Sequence, residues 1–183
     1  MIWGVAYAVL LVVLFVRVQT SPAAVPRTPI LPAADDPLGL IRLHHRLFAV
    51  ILAGAPVEAL IHTGPARGRL VGLAAFTAGV ALYRLGGRAL GEALSPLTEP
   101  RPGVPLVTGG PYRWLRHPMY VGQGLIAIGA PLTLGSRWVV WLAVPAVVVL
   151  ARRIVLEERA LARIYPEYSR YAAQAKRLLP FVF

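Results

Sequence analysis

A chain of 183 residues suits one domain, but 57% of it is hydrophobic and only 15% charged, more apolar surface than a water-soluble protein of this size can hide. Its formal charge of +11 comes from 19 Lys and Arg against 8 Asp and Glu, and the apolar residues fall in blocks. That pattern assigns the basic excess to loops flanking a membrane rather than to nucleic acid. With no cysteine, a disulfide framework and thiol chemistry are excluded.

Residues 1–16 are an unbroken apolar run closed by Arg17. At 1.5 Å per residue the run covers about 24 Å, slightly less than a hydrocarbon core of about 30 Å. The positive charge follows the run instead of preceding it, which predicts a retained first span with the N-terminus outside. A proline-rich connection leads to residues 38–46, whose mixed character predicts a short interfacial helix with His44 and His45 near the surface. Residues 47–61 are the second span, containing Pro56 and Glu58. Glu58 and His62 are four apart and could face each other. An ionisable residue in a span is a functional candidate, the alternative being a side chain near the helix end that reaches the interface.

Residues 70–85 are the third span, and Gly72, Ala74, Ala75, Ala78 and Gly79 would let another helix approach closely, within the chain or in a dimer. Residues 86–115 are the longest polar connection. The fourth span, 119–134, carries Gly122, Gly124 and Gly129; a tight turn at Gly135 and Ser136 leads to the fifth, 137–150, with Pro145 as an expected kink. These two spans would form a helical hairpin. The last helix continues past the membrane to Ile164, Tyr165-Pro166 ends it, and 168–179 would be an amphipathic surface helix.

The expected fold is therefore an all-α integral membrane protein of about five transmembrane helices, with a short C-terminal helical hairpin followed by cytosolic helices. Residues 1–85 supply three N-terminal spans, and 86–183 carry the chemistry. The loops at 17–46 and 84–118 and the tail from 152 hold sixteen of the nineteen basic residues, which places them, and the C-terminus, in the cytoplasm. Arginine dominates, Lys176 being the sole lysine, and Ala, Val and Gly abound, a composition that hints at a bacterial cell membrane.

Two polar clusters flank the last two spans. One is GGPYRWLRHPMY at 109–120; the other is Arg152-Arg153 with Glu157-Glu158. Arg153 and Glu157 are four apart on one helical face, and the hairpin would set that face beside His117. A cation, an anion, an imidazole and phenols over apolar helices suit a zwitterionic cofactor from the water and a greasy substrate from the bilayer. The plainer readings are interfacial anchors, a solvated helix face at Glu157-Glu158, and a loop histidine with satisfied nitrogens.

The segment GPYRWLRHPMYVG, the later glutamate pair, YPEYSRY and the tail RLLP resemble the isoprenylcysteine carboxyl methyltransferase family and the related phospholipid N-methyltransferases. The residues that carry the resemblance are Arg116-His117-Pro118-Met119-Tyr120, Glu157-Glu158, and Glu167-Tyr168 with Tyr171, within 104–180. It implies S-adenosyl-L-methionine as methyl donor. It also implies that Tyr112, His117, Pro118, Met119 and Tyr120 line the cofactor, with Leu106 and Val107 contacting it through backbone. Glu157 would hold its amino group, His117 would face its carboxylate, and Arg153 would face the substrate. Where the family keeps a polar residue before the first tyrosine, this chain has Val104.

The implied acceptor is a lipid or prenylated small molecule from the bilayer. A carboxylate acceptor, ionised at neutral pH, needs no general base; an amine would need one, and no residue stands out for it. Three other readings stay open: a phospholipid N-methyltransferase, an NADPH-dependent sterol-type reductase, and a non-enzymatic membrane protein. No metal and no nucleic-acid partner is expected, and the acceptor's identity and the oligomeric state are left open.

Overall fold

The structure, a computed structural model, describes residues 39–62, 68–95, 100–101 and 103–178. The expected first span and the outside N-terminus lie beyond these residues. Five α-helices occur among the described residues: α1 Leu40–Ile61, α2 Arg69–Leu90, α3 Pro118–Leu134, α4 Ala143–Ile164 and α5 Tyr168–Gln174. Three helical stretches, Leu40–Ile61, Arg69–Ala93 and Val139–Ile164, are long and apolar enough to cross a membrane. At 17 residues α3 is about 25 Å long, short for a bilayer core of about 30 Å. Valines and leucines exposed along the helices (Val50, Val57, Leu70, Val71, Val144, Val148) form the surface expected of a membrane protein. Trp138 and Trp141 are exposed at one end and Trp114 at the other, as interfacial aromatics are.

Several boundaries differ from the sequence reading. The expected interfacial helix at 38–46 and the second span are one helix, α1. A single buried stripe explains this: Leu40, His44, Ile51, Ala55 and Glu58 face inward at helical spacing. His44 is therefore buried, at 2% exposure, rather than at the surface, while His45 is exposed. Helix α2 runs past Leu85 to Leu90 and ends at Gly91, whose φ of 50° stops it. Pro145 lies in the first turn of α4, directly after the 3-10 turn Val139–Leu142. The final helix ends at Gln174, short of 179, because the chain turns to pair with an earlier loop.

The closest helix pair is α2 with α3. Gly72, Gly79 and Gly86 recur every seven residues on α2 and meet Leu132–Thr133, Gly122 and Met119 in turn, so the two helices run antiparallel. A Cβ on Gly72 would sit 2.5 Å from the Thr133 backbone nitrogen, and one on Gly122 2.7 Å from the Gly79 carbonyl. Lipid tails are as apolar as side chains, so this contact rests on close packing. Gly72 and Gly79 of the small-residue stretch thus pack inside the chain. Ala74 and Ala78, off this contact, are exposed.

Glu58 fixes the other end of the bundle. Its carboxylate accepts the Ser136 hydroxyl and the backbone N–H groups of Arg137 at 2.7 Å, Trp138 at 3.0 Å and Val139 at 3.0 Å. It therefore satisfies the free N–H groups that open the 3-10 turn Val139–Leu142, which leads into α4. This role does not involve His62.

Candidate functional site

The site begins with the stretch 104–117, which lacks regular structure apart from a 3-10 turn at Gly110–Arg113. Such a segment needs outside partners, and the C-terminal tail supplies them. Tyr165 Oη donates to the Val104 carbonyl at 2.6 Å, and Tyr171 Oη to the Tyr112 carbonyl at 2.8 Å. Lys176 N–H donates to Trp114 O at 2.9 Å, and Arg116 N–H to Lys176 O at 2.7 Å. Below these bonds Tyr168, Tyr171 and Ala175 form a core that Leu106 and Leu161 pack against. The tail tyrosines thus act on the loop's backbone. Burial pushes the Tyr168 phenol up to about 12 and the Tyr112 and Tyr171 phenols well above the usual range. All three stay protonated throughout the physiological range, and Tyr171 keeps its hydrogen to donate.

Pro118 at the first position starts α3 without wasting an N–H and leaves His117 as the residue before the helix. His117 is 3% exposed, and its Nε2 lies 3.2 Å from Glu158 Oε1. The same carboxylate takes Arg116 Nη1 at 2.7 Å and Arg177 Nη2 at 2.7 Å. Glu158 therefore ties α4 to the loop and to the tail. A carboxylate facing two guanidiniums is an acceptor, so the imidazole proton is on Nε2 and Nδ1 is the free position for another partner.

One residue earlier on α4, Glu157 is turned about 100° away and is half-buried. Its carboxylate lies near the phenols of Tyr120 and Tyr112, and its charge acts on both. Tyr120 lies against the His117 ring, centroids 5.6 Å apart. The Arg153 guanidinium, 5% exposed, stands 5.4 Å from the centre of the Tyr120 ring.

The structure therefore brings Tyr112, His117, Tyr120, Arg153 and Glu157 into one connected group. Pro118 and Met119 instead pack against Gly86 of α2, Met119 Cγ lying 2.7 Å from where a Cβ would be. Leu106 lines a separate shallow cleft of about 270 Å³ with Thr108, Glu167, Arg170, Tyr171 and Gln174, and neighbouring Val107 is half-buried. Sequence reasoning did not single out Glu158 over Glu157, nor Arg177, nor the tyrosine-to-carbonyl bonds. The first had a signal, since adjacent helical residues cannot share a face. The others had none. Among the described residues no group of His, Asp and Glu could hold a metal ion.

The fold is found in known proteins. The solved structure of the eukaryotic intramembrane Ras methyltransferase ICMT (isoprenylcysteine carboxyl methyltransferase) superposes with a TM-score of 0.58 at 23% identity, over 84% of this chain and 55% of that one. That likeness is one of fold. The cobalt-zinc-cadmium resistance protein CzcN of Cupriavidus metallidurans is 36% identical over 83 residues, which are 41% of this chain and 35% of that protein. The chain thus spans little more than a third of the length of the curated relative it matches. Residues 68–168, from the start of α2 to the start of α5, match the phospholipid methyltransferase family model. This stretch exceeds half the chain, and the chain belongs to the phospholipid methyltransferase family.

Proposed function

We propose that the protein transfers a methyl group from S-adenosyl-L-methionine to a lipophilic acceptor resident in the membrane, the acceptor atom being a carboxylate oxygen. The observation that carries this reading is the convergence of the 112–120 loop and the 153–158 face of α4, in a chain of a methyltransferase family. In this reading the full protein has five spans with the last two as a hairpin, and the site faces the cytoplasm. Residues 86–183 hold the donor, and 1–85 help frame the acceptor's side.

The donor set fits the cofactor. An amino-acid zwitterion needs an anion for its ammonium and donors for its carboxylate. Glu157 supplies the first beside the phenols of Tyr112 and Tyr120. His117, its Nε2–H given to Glu158, presents Nδ1 as a further acceptor at the ammonium end, which leaves the carboxylate to backbone N–H donors. Leu106 and Val107 offer backbone groups at the loop's edge. When bound, S-adenosyl-L-methionine supplies an electrophilic methyl group on a sulfonium.

The chain's own residues then align and exclude water. A carboxylate, with a pKa near 4, is already a nucleophile at neutral pH. Arg153, held over Tyr120, orients it through a two-pronged contact. Fixing acceptor and donor in line in a dry site can supply several kcal/mol. Calorimetry with S-adenosylhomocysteine tests the donor side. Binding to the intact protein is expected, weakened at least about tenfold in Glu157→Ala through loss of a charge-assisted hydrogen bond. Unchanged affinity in a folded Glu157→Ala protein would remove Glu157 from the site.

A further inference from the structure

His44 lies outside the family's match and outside every motif in the sequence, yet it is one of the most buried side chains of the structure. Its ring stacks on Phe48, centroids 4.7 Å apart at 24°. No described residue hydrogen-bonds its Nδ1, which is shielded from solvent. A buried nitrogen without a partner costs about 1–3 kcal/mol, so a site that retains one points to a ligand that satisfies it.

The register of the bundle places this nitrogen. Ile51 of α1, Ala127 of α3 and Ala146 of α4 are all 0% exposed and form one packed layer. Stepping seven residues, about two turns, towards the loop end of each helix leads to His44, Tyr120 and Arg153. The imidazole therefore belongs to the same level as the guanidinium and phenol at the inner end of the site. Another buried polar atom without a hydrogen bond, Gln123 Oε1, is one turn along α3 from Tyr120. Among the described residues, the charged or titratable groups that act on the His44 ring are Arg153 and His45, both basic. Such a setting suits an anion.

We infer that His44 holds the anionic head of the membrane acceptor beside Arg153, its Nδ1 hydrogen-bonding one carboxylate oxygen. This rests on the methyl-transfer reading for the identity of the acceptor, but the anion site can be tested without it. An α1 histidine would make the N-terminal half of the chain a determinant of acceptor choice.

The test uses the full chain in lipid nanodiscs. Equilibrium binding of N-acetyl-S-farnesylcysteine, a lipid carboxylate, is compared with that of its uncharged methyl ester, without methyl donor. His44→Phe keeps the stacking on Phe48 and removes the nitrogen; His44→Asn restores a polar group near the Nδ1 position. The acid is expected to bind at least about tenfold more tightly than the ester. His44→Phe should lose about tenfold for the acid alone, and His44→Asn should recover most of it. S-Adenosylhomocysteine affinity should stay within about twofold in both variants, since His44 lies on the acceptor's side. Equal binding of acid and ester, or undiminished acid binding by folded His44→Phe, would overturn the inference. So would a joint loss of acid and S-adenosylhomocysteine binding that His44→Asn does not repair, which would make His44 a packing residue. If the intact protein binds no S-adenosylhomocysteine but His44→Phe still loses the acid, the anion site stands and the methyl-transfer reading falls.

Discussion

Alanine at Glu158 is expected to lower the unfolding free energy by about 3–5 kcal/mol, the cost of breaking a buried ion pair by removing one partner. The carboxylate is only 10% exposed and closes on Arg116, His117 and Arg177, whose side chains are 14%, 2% and 31% exposed. Removing it leaves the two guanidiniums facing each other across the gap. The damage should also be local in a particular way. Arg177 follows Lys176, whose backbone pairs with Trp114 and Arg116. Freed from Glu158, the tail should open and release the Tyr171 bond to the Tyr112 carbonyl. Denaturant titration of the protein in micelles measures the first effect, and hydrogen exchange over residues 165–178 measures the second. Wild-type stability together with wild-type protection of the tail would show that Glu158 is not the tie.

Leucine at Gly129 is expected to be as damaging, by a different route. A Cβ there would lie 2.5 Å from the Phe76 nitrogen, 2.7 Å from the Gly72 carbonyl oxygen and 2.9 Å from the Phe76 Cα. All three are backbone atoms, so the whole of α2 must move away. Overpacking usually costs about 1–3 kcal/mol, and more where the obstacle is backbone. The loss extends along the pair, because Gly72, Gly79 and Gly86 depend on the same separation. Gly124 provides the control, since a Cβ there meets nothing within 4 Å. Gly124→Leu should unfold like the parent and Gly129→Leu well before it. Equal stability of the two variants would mean that α2 and α3 are not held by their glycines.

The helices and the loop end of the bundle were legible because their signals are local. Hydropathy blocks mark the spans, Pro118 marks the start of α3, and Tyr165-Pro166 marks the end of α4. What the sequence hid depends on distant partners. Glu58 reads from sequence as either a functional candidate or a side chain reaching the interface, because the N–H groups it caps lie 79–81 residues away. His44 looked interfacial because LHHRLF mixes polar and apolar residues; only its place in the stripe with Ile51, Ala55 and Glu58 marks it as buried. The glycine spacing on α2 was half visible, but its meaning required α3 beside it. The two-residue pairing of Leu115 with Lys176 has no sequence signature at all. Of the glutamate pair, the side of the helix decides the roles, and one residue's difference in position is enough to send Glu158 to the cations and Glu157 to Tyr120.

The central claim is methyl transfer to a lipid carboxylate. It is tested most directly by incubating the purified protein with S-adenosyl-L-methionine labelled in its methyl group and a membrane lipid extract. The account predicts label in the lipid fraction that mild alkali releases as methanol, the behaviour of a methyl ester, and none with Arg153→Ala. Label that resists alkali, or no transfer by folded protein, would contradict it.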